Sequence, residues 1–149
     1  MRTKFFAWLL MNDSLNTIDE LQRRHWKVND DTHCVLCPGR LHEDRDHLFF
    51  NCNFSIRIWN YLQVTWTPGD NMMQILTEAR REFNQPFFVE VILLASWSIW
   101  KVRNAQIFEG VRPRFYSWRS RFVHDISLQA HRLKNVHKNK LLDWIAALP

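Results

Sequence analysis

The stretch HCVLCPGRLHEDRDHLFFNC, residues 33–52, holds all three cysteines and three of the seven histidines of a 149-residue chain. Two residues separate Cys34 from Cys37, nine separate Cys37 from His47, and four separate His47 from Cys52. A C-x-x-C turn places two sulfurs on one side of a tight loop and supplies half a tetrahedron for a metal. Thiolates with an imidazole suit zinc better than an oxygen-loving ion. A closed set of four protein ligands leaves no position for water, which points to a structural site and not a catalytic one. Spacing leaves three readings open. The ligands are Cys34, Cys37, His47 and Cys52; or His42 joins Cys34, Cys37 and His47 in a Cys2His2 knuckle with Cys52 free; or Cys52 is a core residue and no metal binds. His33, adjacent to Cys34, points elsewhere. Residues 27–47 are almost wholly polar, so this loop cannot build a core of its own and needs a tie. Leu48, Phe49 and Phe50 can anchor it.

The rest of the chain reads as helices. It has only three glycines, too few for a fold of many tight turns or for phosphate-cradling glycine loops. Lys4 to Met11 is an apolar helix with no cap before it, as if the chain started inside a larger ancestral domain. Thr17 and Glu20 form a capping box, predicting a helix to about His25 with Ile18 and Leu21 inward. A polar loop follows at Asn29–Thr32. Asn53 caps a helix over 54–63, with Ile58, Trp59 and Leu62 on one face. Thr67-Pro68-Gly69 is a break. Asp70 caps a helix to Phe83, and Pro86 opens the longest apolar helix, 87–108, stopped by Gly110. After Pro113, Phe115, Trp118, Phe122, Ile126, Ala130 and Leu133 make one amphipathic stripe. Leu141, Leu142, Trp144 and Ile145 extend this helix or fold back on it. The expected fold is all-α: a small helical domain with an irregular zinc-bound loop, plus a basic C-terminal amphipathic helix.

Charge is uneven. From Val111 to Lys140 there are eight basic residues and one acidic residue, while the whole chain is +5. Such asymmetry fits a polyanionic partner, nucleic acid first, against the plainer reading of a solvated helix face. The candidate phosphate contacts are Arg23, Arg24, Lys27, Arg40 and Arg45 near the zinc loop and Arg119, Arg121, Arg132 and Lys134 on the last helix. Trp26, Trp66 or Trp118 would stack on unpaired bases if exposed; Trp8, Trp59, Trp97 and Trp100 lie on apolar faces and read as core. The run Phe87–Trp100 is short for a membrane span, which needs roughly 20 residues, and no signal peptide is legible. An intracellular protein, nuclear or cytoplasmic and not secreted, is expected, with thiols reduced and free for metal.

Several blocks together resemble a known family. KFFAWLLMND (Lys4–Asp13), the helix from Thr17 to Arg24, CVLC, and DHLFFNCNFSIRIW (Asp46–Trp59) are similar to the zinc-binding domain that follows the reverse transcriptase in plant LINE-type retrotransposons. The later WSIWKVRNAQIFEG (Trp97–Gly110) is similar to the segment that commonly comes next. The resemblance implies ligands at Cys34, Cys37, His47 and Cys52, a structural zinc, and domains of 1–66 (zinc-binding) and 70–149 (helical extension). No Y-x-D-D polymerase motif and no ribonuclease H domain is present, so the chain reads as a detached, non-catalytic piece of a retroelement. Its expected partners are nucleic acid, RNA or DNA, or else a reverse transcriptase domain or other protein that it braces. Enzymatic alternatives are weak. Glu43, Asp44 and Asp46 could gather Mg²⁺ but read as a solvated loop, with Asp46 able to orient a ligand, and zinc would consume the thiolates that a Cys–His nucleophile needs.

Overall fold

A computed structural model describes residues 2–27 and 31–149. Part of the expected polar loop at Asn29–Thr32 lies outside the described residues. Among those described, the elements are α1 (Arg2–Met11), α2 (Ile18–Arg23), a π-turn (His47–Asn51), α3 (Asn53–Leu62), α4 (Met72–Phe83), α5 (Phe88–Glu109), α6 (Phe115–Ala130) and α7 (Asn135–Ala147). No strand is formed among them, and the only ladder contact is an isolated antiparallel bridge between His33 and His42. The fold is all-α, as the helical spacings require. No described helix is long and apolar enough to cross a membrane.

The chain divides into two compact units: Met1–Arg57 with Ile99–Pro113, and Ile58–Ser98 with Arg114–Pro149. In the first, α1 buries Phe6 and Leu10, four residues apart and so on one face. Phe6 meets Phe49 at a ring separation of 6.1 Å, and Phe49 in turn stacks on Trp100 at 6.4 Å. Thr17 caps α2 by accepting from the Glu20 amide at 3.3 Å. The reciprocal half of the expected capping box does not form, because the Glu20 carboxylate pairs with Arg23 and Arg24 instead. Gly110 ends α5 in the left-handed region at φ 66°. The Val111 amide there reaches back to the Ala105 carbonyl at 3.1 Å, a closure that a glycine permits without strain.

The second unit is aromatic. Trp118 lies nearly parallel to Phe122 at 5.1 Å, and Tyr61 meets Trp118 edge-on at 6.1 Å. One expectation is corrected here and one open choice is decided. Asn71, not Asp70, caps α4, its side chain accepting from the Gln74 amide at 3.0 Å. Of the two courses open to Leu141–Ile145, the chain takes the second: α6 stops at Ala130 and α7 folds back against it. A straight continuation would leave Leu141 in water. The reversal buries Leu141 completely and sets Trp144 against Phe83 and Phe87 at 5.8 and 5.5 Å.

The tryptophans separate sharply. Trp59 and Trp118 are buried, whereas Trp8 is 59% and Trp26 68% exposed. Trp8 therefore leaves the expected core, because Phe6 and Leu10 define the inward face of α1 and Trp8 falls outside that i, i+4 row. Trp118 cannot stack on a base, since its ring faces the interior.

Candidate metal centre

The two halves of the cluster are built by different local devices. Residues 32–34 run antiparallel to 41–43: the Cys34 amide donates to the Leu41 carbonyl at 2.8 Å, and the Glu43 amide to the Thr32 carbonyl at 3.1 Å. This short strap closes the turn that carries Cys34 and Cys37. Within it the Leu36 amide donates to the Cys34 sulfur and the Gly39 amide to the Cys37 sulfur. The other half is the π-turn, in which the Cys52 amide donates to the His47 carbonyl at 2.6 Å. In an α-helix, residues five apart point about 140° away from each other. The wider i→i+5 turn brings them back to one side. The HxxxxC spacing thus becomes a pair of donors facing the same point, and the fully buried Leu48 and Phe49 hold the turn in place.

The ligand atoms of Cys34, Cys37, His47 and Cys52 all lie within 4.8 Å of one another. The Cys34 and Cys52 sulfurs are 3.9 Å apart, and Nε2 of His47 is 3.4 Å from the Cys37 sulfur. Tetrahedral zinc with sulfur bonds near 2.3 Å requires ligand separations of about 3.8 Å, so the donor set fits such an ion. The electrostatics agree. A hydrogen bond from the Cys34 thiol lowers Cys52 to about 6, helped by the Phe54 and Ser55 amides at the start of α3. The same hydrogen bond, with burial, pushes the Cys34 thiol up. Burial also raises Cys37. Three sulfurs in one poorly solvated site share a single negative charge readily and more only when a cation joins them. Cys34, His47 and Cys52 are buried, which closes the set against water.

The other sequence candidates lie elsewhere. His42 is exposed, with Nε2 3.4 Å from Asp19 Oδ1, and His33 pairs with Asp31. Asp46 salt-bridges Arg45 at 2.8 Å. Asp44, not Asp46, touches a candidate ligand residue, its Oδ1 accepting from the His47 amide at 2.7 Å.

Glu43 overturns the expectation of a solvated acidic loop, for it is wholly buried. Its Oε1 accepts from the Ile18 amide at 3.0 Å and from Arg103 Nη2 at 2.5 Å, and its Oε2 accepts from Arg103 Nε at 3.1 Å. The Glu43 carbonyl accepts from the Asp19 amide at 3.1 Å. One residue therefore satisfies two orphan amides at the start of α2 and fastens the metal-side loop to α5. Arg103 also lies 4.8 Å from the Trp100 ring centroid. The sequence did carry a signal: Val91, Ala95, Ile99 and Arg103 recur every fourth residue, and a cation on an apolar stripe demands a buried anion.

The candidate phosphate contacts differ in state. Arg23 pairs with Asp13, Asp19 and Glu20, Arg24 with Glu20, and Arg45 with Asp46. Arg119 donates to the Tyr61 hydroxyl at 2.9 Å and lies over that ring. Lys27, Arg40, Arg121, Arg132 and Lys134 are exposed.

No curated protein and no solved structure matches the chain. Residues 1–59 match the family described as zinc-binding in reverse transcriptase. That span contains all four clustered ligand residues, so over its first 59 residues the chain is similar to the zinc-binding segment of reverse transcriptases.

Proposed function

We propose that Cys34, Cys37, His47 and Cys52 hold one structural zinc, and that the chain is a non-catalytic, nucleic-acid-binding module derived from a LINE-type retroelement polyprotein. The observation that carries the zinc reading is the closed tetrad: four soft donors within 4.8 Å of one another, three of them buried. Such a site ties down a polar loop and supplies no open coordination position for chemistry. The acidic residues of the loop do not converge as a nuclease would need, since Glu43 is committed to Arg103 and Asp46 to Arg45. The nucleic-acid reading is supported by charge: residues 114–149 hold seven basic and two acidic residues.

The test is metal analysis of the purified chain. One zinc per chain is expected for wild type and for His42→Ala, with loss in Cys52→Ser. Retention in Cys52→Ser with loss in His42→Ala would transfer the site to the Cys2His2 set.

A second reading, a scaffold that braces a polymerase domain without touching nucleic acid, is favoured by one observation. Phe5 and Trp8 are 63% and 59% exposed and stack on each other at 6.3 Å, an apolar pair on the outside of α1. It would be preferred if the chain showed no salt-dependent binding to RNA or DNA and if Phe5→Ser with Trp8→Ser abolished association with a reverse transcriptase domain.

A further inference from the structure

Basic residues contribute to polyanion binding only when they can leave their present partners. Arg23, Arg24 and Arg45 are engaged with carboxylates of their own unit. Drawing any of them to a phosphate would leave Asp13, Glu20 or Asp46 facing the same anion, which offsets the gain.

The outer side of α6 is different. Trp118, Phe122, Ile126 and Ala130 are all fully buried, so the helix is fixed in rotation. The opposite row is Ser117, Arg121, His124, Leu128 and His131, at steps of four, three, four and three, and every member is exposed. Arg132 and Lys134 continue it in the turn before α7. None of Arg121, Arg132 and Lys134 has an ion-pair partner among the described residues. From Arg121 to the end of α6 at Ala130 the helix rises about 14 Å. A nucleic-acid duplex presents about one phosphate charge per 1.7 Å of axis, so several phosphates lie within that length. The one tryptophan of α6 faces the core, which removes base stacking by that ring as the source of affinity.

We infer that the outer row of α6 and the turn after it, Arg121, Arg132 and Lys134 with His124 and His131 between, form the surface that grips the phosphate backbone of a nucleic-acid duplex, while the zinc-bearing unit supplies no principal contact. This rests on the nucleic-acid reading above and assigns it to one face.

The test uses the full, zinc-loaded chain and a short fluorescent DNA duplex, titrated across a salt series. In Arg121→Gln/Arg132→Gln/Lys134→Gln the slope of log affinity against log salt should shrink by about three. In Arg23→Gln/Lys27→Gln/Arg40→Gln, which removes the same charge from the other unit, the slope should be unchanged. All six positions are exposed, and circular dichroism should show the wild-type helix content in both variants. Equal losses in the two triple variants, or the greater loss in the second, would overturn the assignment to α6 while sparing nucleic-acid binding. Tighter binding to the single strand than to the duplex would overturn the duplex. No binding by wild type at low salt would overturn both the assignment and the reading beneath it.

Discussion

The amino-terminal and carboxy-terminal units are held by different kinds of contact. Beside its Phe6–Phe49–Trp100 ring contacts, the first has point contacts of defined chemistry: four convergent candidate ligand atoms and a buried carboxylate gripped by a guanidinium. The second relies on flat surfaces, with Trp118, Phe122, Tyr61, Phe83, Phe87 and Trp144 packed ring against ring. Point contacts fail all at once when one atom is removed, because the surviving partner is left charged or unpaired. Packed surfaces fail by degrees, since each methylene contributes its own share.

Metal removal should break the comparison most severely. Structural zinc sites contribute an apparent binding energy on the order of 10 kcal/mol at neutral pH. Chelation should therefore abolish hydrogen-exchange protection from Thr32 to Cys52 while the α6 amides stay protected. Acid should do the same, because lowering the pH protonates the thiolates and expels the metal. Equal loss in α6 would erase the distinction between the units.

Next in size is Arg103→Ala, expected to cost about 3–5 kcal/mol in denaturant unfolding because Glu43 would remain buried and uncompensated. The double variant Glu43→Leu/Arg103→Met should recover most of that loss, which a purely geometric role for the pair would not allow. Smaller is Ile126→Val on the buried row of α6, expected to cost about 1 kcal/mol, the graded response of a packed surface. Smallest is the α4 cap: Asn71→Ala should cost up to about 1 kcal/mol and Asp70→Ala close to none, read as a shift in thermal midpoint.

Local chemistry was legible in the sequence wherever partners lie close along the chain. The four clustered donors span less than twenty residues, and the helices announced themselves by spacing, as with Ile58, Trp59 and Leu62. What escaped depended on tertiary context. A three-four periodicity continues through Ala130 and Leu133 without a glycine or proline, so local pattern left open whether the next residues extend α6 or fold back on it. The choice falls to tertiary contacts: Leu141 is fully buried, and the Trp144 ring meets Phe83 and Phe87, more than fifty positions earlier. Glu43 looked solvated because its neighbours Asp44 and Asp46 are polar, yet its partner is 60 residues away. Trp8 looked buried because the segment is apolar throughout, and periodicity cannot choose an inward face when every face is apolar.

The separation between Glu43 and Arg103 also has a bearing on the order in which this chain assembles. The Cys34–Cys52 contact closes a loop of 18 residues, whereas the ion pair closes one of 60. The longer closure costs only about 1 kcal/mol more entropy, but it cannot form until α5 has been synthesised and has found its place. A nascent chain therefore completes the four-donor cluster with the Glu43 carboxylate still unmatched, and the arrival of Arg103 is the step that pairs it and fastens the loop to α5.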